Sequence, residues 1–216
     1  MTAIMVVGFW PSYFARLLRG DVARPLVVQL HGIVFVGWMV LLLTQVLLAA
    51  SGRVRTHRRV GRFGIAYGWL VLAMGLLVGV AAPILHLKAG DWNEDRAAAF
   101  LLTTLGDMVL WGVFFGAAVF YRPQPEIHKR LMLVATVGLL FAAVGRMRFV
   151  SPIPVMLLVW LSPLIVAMVY DWKTRGRVHP AYIIGTAGLF VGALRELVAE
   201  TNVWLPLGHR LLALFV

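Results

Sequence analysis

The sequence contains no cysteine. That excludes disulfides, Cys-ligated zinc, iron–sulfur clusters and thiol nucleophiles together. Charge is scarce as well: 13% of the residues are Asp, Glu, Lys or Arg, where a soluble domain carries about 25%. Acids are the scarcer sign, nine against twenty Lys and Arg. Chemistry-bearing motifs are missing too. There is no His-x-x-x-His, His-Glu-x-x-His or Glu-x-x-His metal pair, no Gly-x-Ser-x-Gly elbow, and no phosphate-binding Gly-rich loop. No internal repeat or low-complexity tract breaks the chain.

What is present is apolar. Hydrophobic residues make up 61% of 216 positions, more than a water-soluble core of this length can hide. Lipid can accept it. The expected fold is all-α, a single polytopic transmembrane helical bundle over residues 1–216. Residues 1–24 are expected as an interfacial segment, 25–200 as the bundle and 201–216 as a short C-terminal helix. Trp10, Tyr13 and Phe14 followed by Arg16 and Arg19 suit a segment lying on a membrane.

Six stretches approach the roughly 20 apolar residues that a span needs. They run over residues 25–50, 63–85, 97–121, 131–144, 153–170 and 181–197. Short connectors make consecutive helices antiparallel. Connectors 51–62, 122–130 and 171–179 then share one side, with eleven Lys and Arg and two acids. The other side holds nine Lys and Arg and six acids. The positive-inside rule therefore makes the first side cytoplasmic. The formal charge of +11 sits in these connectors, where it sets topology and meets anionic lipid headgroups. No basic face interleaved with aromatics suggests nucleic acid as a partner.

Ionisable groups inside spans are functional candidates, because lipid makes them expensive. His31, Trp38 and Gln45 stand seven apart and so share one stripe of the first span. Asp107 falls near mid-membrane, with Thr103 and Trp111 on its face. Arg146, Arg195 and His31 are its available partners. Arg146 follows His128 by five helical turns and shares its face. A structural hydrogen-bond seam and a proton or ligand pathway along Gln45, Asp107, Arg146 and Trp38 both fit these residues. His57 and His128 open parallel helices on one side, with Arg58 and Arg130 beside them. They suit either lipid-phosphate anchors or haem b ligands with arginines for the propionates. His31 and His86 are the corresponding pair on the other side.

The string from His31 through Gln45 to His57-Arg58-Arg59-Val60-Gly61-Arg62 resembles a pattern in bacterial multi-pass membrane proteins of unknown function. His128-Lys129-Arg130-Leu131-Met132-Leu133 with Gly145-Arg146 looks like their second signature. The resemblance covers much of residues 8–180. It implies a small helical bundle in the bacterial inner (cytoplasmic) membrane, and little biochemistry. In layout the chain is also similar to diheme b-type membrane cytochromes, although His57 and His128 stand at helix edges. Three readings follow: a haem b redox protein or redox-complex subunit, a cofactor-free proton or small-solute transporter, and a structural subunit of a larger membrane complex or homo-oligomer. Whether the chain is an enzyme is left open.

Overall fold

The structure is a computed structural model that describes residues 1–20, 25–150 and 152–215. Residues 21–24 of the expected interfacial segment, Ser151 before the fifth span, and Val216 lie outside the described residues. The described residues form helices and short connectors, with no strand among them. The eight helices are α1 (Thr2–Leu18), α2 (Leu26–Ala50), α3 (Val54–Lys88), α4 (Glu94–Phe120), α5 (Pro125–Val144), α6 (Ile153–Arg175), α7 (Pro180–Ala193) and α8 (Leu205–Leu212). Five of them, α2 to α6, are long and apolar enough to cross a membrane.

The apolar faces point outward, as a chain solvated by lipid requires. Leu26, Ile33, Val40 and Leu47, seven apart along α2, are each 59–69% exposed. In water such a patch would be an association site. This is an integral membrane protein by the length and composition of its helices. The sixth expected span is shorter than the sequence suggested. Its helix covers only Pro180–Ala193 and tightens into a 3-10 turn at Leu194–Leu197.

By internal contacts the chain forms two compact units. One contains residues 24–109 and 194–216, the other 1–23 and 110–193. In the first, α2 and α3 form a hairpin. The turn is a Schellman cap: Gly52 at φ 71° lets Arg53 N–H donate to Leu48 O (2.9 Å) and Gly52 N–H to Ala49 O (3.1 Å). Gly90, at φ 73°, ends α3 the same way, through Asp91 N–H to His86 O. The helix seam is built from small residues. The Tyr67 ring lies against Gly37 and its hydroxyl donates to Val34 O at 3.1 Å. Gly75 and Gly79 of α3 admit Met108 and Thr104 of α4, the close approach that their four-residue spacing permits. Asn93 caps α4 by accepting from Arg96 N–H at 2.9 Å. The C-terminal α8 docks on the first turns of α4, where the Trp204 indole donates to Ala98 O at 2.7 Å and Gly208 sits against Ala98.

In the second unit α5 is the central helix. Val134, Ala135, Thr136 and Val137 are all at most 1% exposed. Val134 fits against Gly185 of α7, and the buried Trp160 of α6 donates to Val137 O at 2.8 Å. Gly8 of α1 lies on the backbone of Ala143. The N-terminal segment is therefore an apolar helix packed on α5, with a π-helical turn at Trp10–Phe14 where Pro11 lacks an N–H.

Candidate functional site

Asp107 is the fourteenth residue of α4, about 20 Å along a helix of about 40 Å. Its partner is Arg195, from the 3-10 turn, whose guanidinium donates to Asp107 Oδ1 in a short contact. The same guanidinium nitrogen donates to Thr103 O at 3.1 Å. Both side chains are nearly buried, at 12% and 11% exposure. Gly106 makes the pairing possible: a Cβ there would stand 2.5 Å from Arg195 Cδ and Nε.

A second carboxylate belongs to the same cluster. The Thr103 hydroxyl donates to Glu196 Oε2 at 2.9 Å, and Arg195 Nε lies 3.3 Å from Glu196 Oε1. The latter is a charge contact without hydrogen-bond geometry. One guanidinium thus serves two carboxylates, one deep in α4 and one 35% exposed. Glu196 and Thr103 also line an open cleft of about 230 Å³, with Arg96, Ala99, Phe100, Ala199 and Glu200. The cleft opens at one end of a polar cluster whose other end is Asp107.

The remaining candidates of this unit fall into two places. Trp38 is 2% exposed, so the His31, Trp38 and Gln45 stripe turns away from the exposed leucines. The His31 ring lies on Phe35 with centroids 4.1 Å apart. In the orientation that satisfies its neighbours, the Gln45 amide donates to His57 O and accepts from Gly61 N–H, each at 3.1 Å. In the same orientation the Gln45 amide also donates to His57 Nδ1 at 2.6 Å, and that nitrogen lies 3.2 Å from the main-chain oxygen of Gln45. Arg58 is exposed on the same turn. His86 stacks flat on Trp92 at 4.2 Å, with Nδ1 3.2 Å from Asp91 Oδ2.

The second unit holds its own charged cluster. Arg130, 1% exposed, binds Asp171 through two parallel hydrogen bonds of 2.9 and 2.6 Å. Its remaining nitrogen donates to Glu126 O and Oε2 at 2.7 and 2.8 Å. Arg175 closes the ring on Glu126 at 2.6 Å. Asp171 also accepts from His179 N–H at 3.4 Å, and Tyr182 lies under the guanidinium. His179 Nδ1 accepts from Ala181 N–H at 3.1 Å, at the start of α7. Burial, together with the Arg130 charge, holds His179 below the usual histidine range. Sequence reasoning singled out Arg130 and missed Asp171 and His179. The signal available was an acid at the end of an otherwise acid-free span, eight residues before a His.

His128 Nδ1 lies 2.7 Å from Ala118 O, so its ring proton is on Nδ1. Arg146 is exposed; it donates to Ala142 O at 2.5 Å and covers the ring of Phe9. Asp107 therefore takes Arg195 from among the three partners that the sequence offered. Among the described residues no group of three or more His, Asp or Glu could hold a metal ion. Comparison with known protein families, with curated proteins and with solved structures finds no match to this chain.

Proposed function

We propose that this integral membrane protein moves protons or a small cation through the Asp107–Arg195–Glu196 cluster. The observation that carries the proposal is one guanidinium shared by a carboxylate in the middle of a spanning helix and a carboxylate on the wall of an open cleft. Such a triad has two arrangements. When Asp107 takes a proton or a cation, Arg195 turns its charge to Glu196; when Asp107 releases it, the pair re-forms. Thr103 holds both ends, through its hydroxyl to Glu196 and its carbonyl to Arg195. An intramembrane carboxylate is expensive to keep, which supports a role beyond packing. Reconstituted into liposomes, the wild type is expected to collapse an imposed pH gradient or a small-cation gradient. Asp107→Asn is expected to abolish this while keeping the melting temperature within a few degrees. Unchanged flux in a folded Asp107→Asn variant would remove the reading.

A second reading, a haem b redox protein, is favoured by one specific observation. His128 holds Nδ1 against the main-chain carbonyl of Ala118, which leaves its Nε2 as the free electron pair that haem iron binds. On that reading haem b would supply one-electron transfer; of the expected propionate partners, Arg58 belongs to the other compact unit. Arg130, the other expected propionate partner, is engaged by Asp171 and Glu126 instead. An absorption spectrum of protein from haem-supplied cells tests this reading. Soret and α bands lost in His128→Ala would support it, and a colourless folded protein would refute it.

A further inference from the structure

α3 is longer than a span requires. Its 35 residues rise about 52 Å, against a hydrocarbon core of about 30 Å. The excess is charged. Arg55, Arg58, Arg59 and Arg62 stand at i, i+3, i+4 and i+7, so all four lie on one face of its first turns. All four are exposed, and none pairs with an acid among the described residues. No Asp or Glu lies anywhere between Arg24 and Asp91.

By itself this arrangement is unfavourable twice over. Like charges at three- and four-residue spacing repel across the helix surface. Cations in the first turns also oppose the helix dipole, and the first turn has no acid to offset it. Yet the segment is regularly helical, hydrogen-bonded from its first turn by His57 N–H to Arg53 O at 2.9 Å. Its opposite face is committed to α2 through His57 and Gln45, so the arginines cannot turn inward. Val54 and Phe63, 47% and 61% exposed, flank the stripe and suit the boundary between acyl chains and headgroups. With no acid of the described residues paired to them, the arginines take their counter-anion from outside the chain. At this depth the available anion is the phosphate of a lipid headgroup, which guanidinium binds in bidentate fashion.

We propose that Arg55, Arg58, Arg59 and Arg62 form a binding stripe for anionic phospholipid headgroups, and that bound lipid stabilises the first turns of α3. This stands apart from the transport reading, because it involves none of the Asp107 cluster. The test is thermal unfolding in nanodiscs of zwitterionic phosphatidylcholine, with and without phosphatidylglycerol. The wild type is expected to melt several degrees higher with phosphatidylglycerol, and to lose the gain as salt is raised. Replacing the four arginines with Gln is expected to remove the gain, and replacing them with Lys to retain part of it. A control that removes Arg122 and Arg177 instead is expected to keep it. Equal melting of the wild type in the two lipid mixtures would overturn the proposal, and this arm needs no variant to fold. So would inorganic phosphate reproducing the whole shift in neutral nanodiscs, since that would make the ligand a soluble anion.

Discussion

Arg130 and Arg195 are both guanidiniums withdrawn from solvent, but they are satisfied differently. Arg130 has a dedicated bidentate partner in Asp171, while Arg195 divides itself between Asp107 and Glu196. The first arrangement suits a fixed clasp and the second a switch. Removing one partner of a buried pair leaves the other charge stranded, at a cost of about 3–5 kcal/mol. Asp171→Asn is therefore expected to lose about that much in equilibrium unfolding, whereas Lys129→Gln, on a half-exposed pair with Glu126, loses less than about 1 kcal/mol. His179 adds a pH dependence. It is held neutral in the fold, among Arg130, Asp171, Glu126 and Arg175, and Nδ1 must stay unprotonated to accept from Ala181. The unfolded chain takes that proton near pH ~6.5. Between the folded and unfolded pKa the unfolded state binds more protons, so stability falls as pH drops below about 6.5. Unfolding free energies at about pH 7.5 and about pH 5.5 should differ in the wild type and differ less in His179→Ala. Asp107 was legible in the sequence as a lone acid in an apolar run. Its partner was only one of three choices, because Arg195 lies 88 residues away. Asp171 was not legible, since a carboxylate at the end of a span is ordinarily solvated.

At the scale of elements, glycine decides which helices approach and which side chains fit between them. Gly106 gives Arg195 its path to Asp107, so Gly106→Ala should displace the guanidinium and reproduce the flux defect of Asp107→Asn. Two glycines on other seams should respond differently to Ala. A Cβ at Gly185 would meet the branched side chain of Val134 at 2.5 Å, which cannot yield, so a loss of about 1–3 kcal/mol is expected on unfolding. At Gly75 the neighbour is the thioether end of Met108, which can swing aside, and the loss should be smaller. The α2 stripe was readable because a seven-residue repeat keeps one face: Trp38 turned inward and Leu26, Ile33, Val40 and Leu47 turned out. The length of α7 was not readable. Its apolar run continues past Ala193, but the backbone tightens there into the 3-10 turn that presents Arg195 and Glu196.

For the whole molecule, the composition alone required lipid, and α2 to α6 meet the length that lipid requires. The cysteine-free sequence makes topology directly testable. α3 runs between Ser51 and Ala89, both exposed, so single cysteines at these positions should react with an impermeant maleimide from opposite faces of sealed vesicles. Labelling of both from the same face would contradict a spanning α3. Function at this scale was not legible, because it depends on which of several buried polar groups can change its charge. That question is answered most directly by the pH-difference infrared spectrum of the protein in lipid, wild type against Asp107→Asn. A protonated-carboxyl band is expected to grow in the wild type as the pH is lowered and to be missing from the variant. Identical difference spectra would mean that Asp107 stays bound to Arg195 throughout, and that the pair only holds the fold together.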